Sequence, residues 1–143
     1  MRVKIKRFDK ALPLPEHKTA GAAAFDLAAR DTVEIGAGMV GYVPLNIAVE
    51  TPSGHFLLLA ARSSLHKKGL MLANGLAIGD PDFCGDEDEY KAALLNFTNA
   101  KVLVQKGDRI LQGMFLKHEP MEWEEVEKMD NKTRGGFGST GTK

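Results

Sequence analysis

The sequence predicts an all-β fold, a jelly roll or barrel, on three observations. Its apolar stretches are short and strand-like, Gly and Pro turns separate them, and no amphipathic stretch reaches a helix of ordinary length. With 143 residues the chain makes one domain, large enough for a core but too small for a large internal substrate pocket. A composition of 43% hydrophobic and 27% charged residues is that of a soluble globular protein, and no apolar run approaches the roughly 18 residues of a membrane span. No hydrophobic segment follows the basic start MRVKIKRFDK, so it is not a signal peptide, and the lone Cys84 fits a reducing compartment; a cytoplasmic protein is expected. Nineteen basic and nineteen acidic residues give no formal net charge, which argues against capture of a nucleic-acid duplex and leaves small anions as partners. The four histidines are scattered, and none pairs with a Cys or His at metal-ligand spacing.

In chain order, Val3, Ile5 and Phe8 interleaved with Lys4, Lys6 and Arg7 read as an opening strand. ALPLPEHKT interrupts it with two prolines. AGAAAFDLAAR has the propensity of a helix but lacks the charged opposite face of one, and Asp26 within it has the residue type of a capping or turn aspartate. Thr32 to Glu50 reads as short strands broken by Gly36, Gly38 and Gly41. HFLLLAAR is a continuous apolar run, the pattern of a strand buried on both faces, and it delivers Arg62-Ser63-Ser64 at its end. A guanidinium and two hydroxyls entering a short helical turn suit an anion, although a plain serine cap explains them as well.

The stretch Asn74 to Gly85, NGLAIGDPDFCG, lies between the apolar runs Leu70 to Ala73 and Ala92 to Phe97, which is a hairpin signature. Gly75, Gly79 and Gly85 give it freedom to adopt positive φ, and Asp80 and Asp82 share a face if the arm is extended. An ordinary surface turn is made of the same residue types. The acidic run Asp86 to Glu89 reads as a solvated edge rather than a magnesium site. Tyr90 to Thr98 and Lys101 to Val104 read as strands, and RILQGMFLK as a further one in which Arg109 and Gln112 interrupt the apolar pattern. Glu119 to Glu127 reads as an exposed final strand or arm. The tail from Lys128 lacks apolar periodicity, but RGGFGSTG within it combines glycines, an arginine and an aromatic ring in a way that suits folding over an anion and a base.

Five of these segments, AGAAAFDLAA, PSGHFLLLAARSS, LMLANGLAIGDPDFCGDED, GDRILQ and RGGFGSTG, follow one another from Ala20 to Gly141. In that order and spacing they resemble the five motifs of the trimeric dUTP pyrophosphatases, the dUTPases. The resemblance implies a distorted jelly-roll β-barrel over residues 1–127 and a glycine-rich arm over residues 128–143 that closes on the site. It also implies a homotrimer with active sites shared between chains, and hydrolysis of dUTP to dUMP and pyrophosphate with Mg2+. By the same resemblance, Asp80 is the base that activates water, Asn74 and the hairpin around Ala77 read uracil, and Phe83 packs on the deoxyribose. Arg62, Ser63 and Ser64 hold phosphates; Gln112 and Asp26 organise phosphate or metal-bound water; Arg134 reaches the γ-phosphate and Phe137 stacks on the base. Two departures stand beside the base: Gly79 replaces a usual apolar residue and Ala77 a common glycine, which leaves the backbone there expected to be looser. A dCTP deaminase of the same fold and a non-catalytic nucleotide-binding regulator are the alternative readings. The deaminase's catalytic glutamate has no counterpart here.

Overall fold

The computed structural model describes residues 1–141. Strands β1 (Lys4–Arg7), β2 (Phe25–Ala28), β3 (Val33–Ile35), β4 (Val40–Pro44), β5 (Ile47–Glu50) and β6 (His55–Ala61) lead into a turn of 3-10 helix at Leu65–Lys68. Strands β7 (Leu70–Leu72), β8 (Ala77–Gly79), β9 (Lys91–Asn96), β10 (Val102–Val104) and β11 (Arg109–Lys117) complete the set. Every pairing is antiparallel. A four-stranded sheet runs β2-β11-β6-β8, a three-stranded one β4-β9-β7, and β1 pairs with β5 and β3 with β10. The all-β expectation holds.

Alternation along these strands builds one core. Leu27, Ile35, Val43, Ile47, Leu57, Leu59, Leu70, Leu94 and Leu111 turn inward from different strands and are fully or almost fully buried. Each such side chain contributes about 1.5–3 kcal/mol by leaving water. The alanine-rich stretch before Asp26 forms no helix. Ala22 N–H closes a tight turn on Thr19 O at 3.1 Å, and Phe25–Ala28 joins the sheet edge, because tertiary pairing outweighs the weak helix preference of alanine.

Strand β6 departs from the expectation of burial on both faces. Leu57 and Leu59 are buried, whereas Phe56, Leu58 and Ala60 are half-buried. β11 and β8 flank this strand and satisfy its backbone on both edges, but only one of its faces meets the core. The register places Leu58 beside Met114 and Ile78, and Phe56 beside Leu116, so the outer face of this sheet is apolar. A second apolar outer face lies on the three-stranded sheet, where Leu95 sits between exposed Val40 and Met71 and exposed Tyr42 lies across from Ala93.

The expected hairpin arms do pair: Leu72 lies opposite Leu94, and Ala73 N–H donates to Ala93 O at 2.8 Å. The chain between them, however, leaves this sheet, and β8 pairs with β6 in the other one. The segment carrying Asp80 thus bridges the two sheets. Beyond Lys117 the described chain has no strand or helix. Glu119 to Glu127, expected as a strand or arm, is exposed coil with Trp123 86% exposed, since no strand pairs with it. Thr142 and Lys143, the end of the expected arm, lie outside the described residues. Among the described residues no helix is long and apolar enough to cross a membrane.

Candidate active site

The site residues expected from the sequence gather in two clefts. The first, of about 390 Å³, is lined by Asp26, Arg62, Ser63, Arg109 and Gln112, with Ala22, Ala23 and Ala24 along one wall. Asp26 is not a capping aspartate. Its Oδ1 lies 2.9 Å from Arg62 Nε and its Oδ2 2.7 Å from Arg109 Nη1, with the carboxylate largely buried between them. Arg62 Nη1 also donates to Arg109 O at 3.0 Å, and Gln112 Nε2 donates to Ala61 O at 2.9 Å. Two guanidiniums around one carboxylate leave the cleft with an excess positive charge suited to an anion.

A β-bulge makes this arrangement possible. In a regular strand, residues 109 and 112 would face opposite sides of the sheet. The register of β11 against β2 shifts between Arg109 and Leu111, which turns Arg109 to the side on which Gln112 lies opposite Asp26. Ser64 does not line the cleft. It stands before the 3-10 turn, and its hydroxyl makes no capping hydrogen bond, so a serine cap does not account for it.

The second cleft, about 530 Å³, is lined by Tyr42, Asn74, Ala77, Gly79, Asp80, Phe83 and Tyr90 among others. Asp80 opens a β-turn in which Phe83 N–H donates to Asp80 O at 3.1 Å, with Pro81 second in the turn, where its fixed φ belongs. Asp80 and Asp82 are therefore not an extended pair sharing a face. The Asp80 carboxylate is exposed at the mouth of the cleft. Of the three hairpin glycines only Gly75 uses positive φ, at 72°, where the chain turns out of β7. Gly79 is buried in strand geometry, and its value is space: a Cβ added there would lie 2.5 Å from Tyr90 Oη and 2.7 Å from Tyr90 Cε1. The backbone beside Asp80 is packed rather than loose, contrary to the expectation from Gly79.

The acidic run anchors this segment. Lys6 Nζ reaches Asp86 Oδ1 at 2.9 Å, Gly85 N–H donates to Asp88 Oδ2 at 2.7 Å, and Arg30 grips Glu89 through Nε at 2.7 Å and Nη2 at 3.0 Å. Glu89 Oε1 also accepts from Asn46 N–H at 2.9 Å, and this carboxylate holds the Arg30 guanidinium above even its ordinary titration range. Asp86 and Glu87 stay exposed, as a solvated edge requires, while Asp88 and Glu89 are half-buried and also fix the loop. No group of three or more His, Cys, Asp or Glu side chains among the described residues is placed to hold a metal ion. Asp26, the acid nearest the anion cleft, has both oxygens on arginine. This donor set fits a divalent cation carried by a ligand's phosphates and hydrated on its protein side, not one held directly by carboxylates.

The structure thus brings Asp26, Arg62, Ser63 and Gln112 together, and separately Asn74, Ala77, Asp80 and Phe83. The two clefts share no lining residue. Arg134 and Phe137 line neither, and Phe137 projects fully into solvent at the positive φ of 50°. Two residues escaped the sequence reading. Arg109 showed only as a polar break in an apolar strand, and its spacing from Gln112 concealed a shared face because bulges are invisible in the pattern. Tyr90 read as the start of a strand, with nothing to connect it to Gly79.

An arginine-lined anion cleft and a carboxylate cleft with aromatic walls, on one jelly roll, are the parts of a protein that acts on a nucleotide. Residues 10–141 match the sequence model of the dUTPase family, and the chain belongs to that family. It is 39% identical to the deoxyuridine 5'-triphosphate nucleotidohydrolase of Dictyoglomus turgidum, covering 99% of both chains. It is 38% identical to that of Corynebacterium glutamicum, over 97% of this chain and 94% of the relative. Among solved structures, the dUTPase of Streptococcus mutans superposes with a TM-score of 0.75 at 30% identity, covering 83% of this chain and 98% of that one. The dUTPase of Staphylococcus bacteriophage 80alpha bound to dUpNHpp superposes at a TM-score of 0.86 over 99% of both chains, and at 19% identity it shows the shared fold.

Proposed function

We infer that the chain hydrolyses dUTP to dUMP and pyrophosphate, and that the reaction joins the anion cleft of one chain to the hairpin cleft of another. The activity rests on family membership across nearly the full length. The division of labour rests on one observation: anion-holding and base-bearing residues occupy clefts without a common wall, each beside an apolar sheet face left open to solvent. Gln112 and Asp26 lie on the same outer face as Met114, Leu58 and Ile78, and Tyr42 lies on both the second face and the hairpin cleft. Burying these faces against further copies brings unlike clefts together, and three chains then carry three equivalent sites.

In such a site Asp80 takes a proton from a water whose oxygen attacks the α-phosphorus. The α–β bridging bond breaks and pyrophosphate leaves with its electron pair. Arg62 and Ser63, with Arg109 and Gln112 beside them, hold the phosphates, and Ser64 joins them once the turn adjusts. Asn74 and the Ala77 backbone read the base, and Phe83 covers the sugar where a 2′-OH would stand. Residues 128–143 form an arm distinct from the body at 1–127, bringing Arg134 to the γ-phosphate and Phe137 over the uracil ring while excluding water. Mg2+, typical of the family, supplies charge neutralisation of the triphosphate when bound. The protein works in the cytoplasm on a small nucleotide without a nucleic-acid or membrane partner.

The deciding experiment measures pyrophosphate release from dUTP with Mg2+ beside dCTP, dTTP and UTP, together with the mass of the active species. Turnover of dUTP by a trimer is expected. Full activity in a monomer defeats the shared site, and ammonia release from dCTP defeats the substrate assignment.

A further inference from the structure

We propose that Tyr90 sets sugar selectivity in the hairpin cleft as a positioning residue, by filling the space of the missing side chain at Gly79 and bracing Phe83 from behind. This rests on the assignment of Phe83 to the sugar. Three observations carry it.

The first is the steric match between Gly79 and the ring. Gly79 immediately precedes Asp80 and does not have positive φ, so glycine is not required there for its dihedral freedom. It is required for room, since an added Cβ would meet Tyr90 Oη, Cε1 and Cζ at 2.5, 2.7 and 2.9 Å. Contacts under 3 Å with a rigid ring are relieved only by moving the ring or the strand. The second is that this ring has little freedom to move. Tyr90 is 6% exposed, its N–H donates to Ile47 O at 3.0 Å, and its carbonyl accepts from Leu45 N–H at 2.9 Å. Its neighbour Glu89 is fixed by Arg30.

The third is the second aromatic ring packed on Tyr90. Phe83 packs edge-to-face on Tyr90, with centroids 5.0 Å apart and planes at 76°, while 38% of Phe83 stays exposed. Thus one buried side chain touches both the residue before the proposed base and the residue that covers the sugar. The Tyr90 hydroxyl itself has no hydrogen-bond partner. The neighbouring Thr51 hydroxyl is likewise buried without a hydrogen-bond partner. With its hydroxyl unpartnered, what Tyr90 contributes to the cleft is the volume and rigidity of its ring. A braced Phe83 cannot tilt back, and the extra oxygen of a ribonucleotide has no room.

The test is the ratio of kcat/KM for UTP to that for dUTP, measured with unfolding curves for Tyr90→Leu, Tyr90→Phe, Gly79→Ala and Phe83→Ala. Tyr90→Leu removes the brace and raises the ratio roughly three- to tenfold, the size of one aromatic pair. Tyr90→Phe keeps the ring and holds the ratio within about twofold of the parent. Gly79→Ala displaces the ring and also raises the ratio, so the expectation survives if Tyr90→Leu does not fold. Adding Tyr90→Leu to Gly79→Ala restores dUTP turnover relative to Gly79→Ala alone. If Tyr90→Leu and Gly79→Ala lower kcat/KM for both nucleotides equally while Phe83→Ala raises the ratio, Tyr90 is structural and the proposal falls. If Phe83→Ala leaves the ratio unchanged, the sugar assignment fails first.

Discussion

The two clefts are built on different physics. The anion cleft is organised by charge: Asp26 holds Arg62 and Arg109 across three adjacent strands, and the bulge in β11 turns Arg109 to meet it. The hairpin cleft is organised by volume: Gly79, Tyr90 and Phe83 interlock, and two ion pairs, Arg30 with Glu89 and Lys6 with Asp86, hold the loop in place. Charge tolerates small displacements, because Coulomb attraction falls off gradually with distance. Packing does not, because tenths of an ångström decide between contact and clash. The group proposed to do chemistry stands on the less forgiving scaffold, and the groups proposed to hold phosphates stand on the more forgiving one.

Removing the reacting group while sparing both scaffolds has the largest expected effect. Asp80→Asn keeps the β-turn, whose hydrogen bond uses the backbone carbonyl, and deletes only the basic oxygen. kcat is expected to fall about 10²- to 10⁴-fold while a nonhydrolysable dUTP analogue still binds. Single-turnover kinetics beside calorimetric titration separates the two, and turnover within a factor of a few of the parent removes Asp80 from the mechanism.

Deleting residues 132–143 leaves both clefts intact, since Arg134 and Phe137 line neither. A loss in kcat of about 10²-fold is expected, comparable to losing one preorganised charge-stabilising donor, with an unchanged unfolding midpoint. A truncated protein with parental kcat shows that the arm does not close over the site.

Asp26→Asn tests the charge-built cleft. It leaves two guanidiniums without their shared counter-ion in a pocket where Asp26 is only 15% exposed. A stability loss of about 1–2 kcal/mol is expected, between the limits for exposed and buried pairs. KM for dUTP is expected to rise roughly tenfold, the effect of about 1.4 kcal/mol of lost phosphate orientation. Equal KM values for variant and parent would show that Asp26 merely fastens strands together.

The same contrast explains what could be read from the sequence. Strand positions and the paired arms around the hairpin were legible, because alternation and glycine turns are local signals, whereas Asn74, Ala77 and Phe83 were expected in a site only through the motif resemblance. Arg62 and Gln112 stood out as polar groups at the end of one apolar run and inside another, while Asp26 passed for a capping or turn residue. The crossing of β8 to the other sheet was not legible, since a three-residue strand carries no mark of its partner. Nor was the shared face of Arg109 and Gln112, which depends on a bulge. The acidic run is a solvent edge at Asp86 and Glu87, but the anchoring of Glu89 was not legible because its partners Arg30 and Asn46 are remote in sequence. Gly79 looked like slack for the same reason: the side chain that fills its space belongs to another strand's approach.

The smallest expected effect isolates the phenol of Tyr90 from its ring. Burial pushes the phenol above its ordinary value of 10.0; the nearby Thr51 hydroxyl opposes the shift, while Asp80, Cys84 and Asp88 add to it. Because burial penalises only the ionised phenol, the group costs the fold nothing in charge below the unfolded value of about 10, and stability falls as pH rises from there through the higher folded value. The unfolded chain releases its proton first, so alkali favours unfolding. Tyr90→Phe deletes this group, and its stability should decline less steeply above about pH 10 than the parent's. Near neutral pH the variant should match or exceed the parent by up to about 1 kcal/mol, because a buried hydroxyl without a partner is removed and the ring stays. Denaturant unfolding of both proteins at several pH values between neutrality and strong alkali makes the comparison. Superimposable alkaline limbs would exclude Tyr90 as the titrating group, and a variant much less stable at neutral pH would mean that its hydroxyl does find a partner in solution.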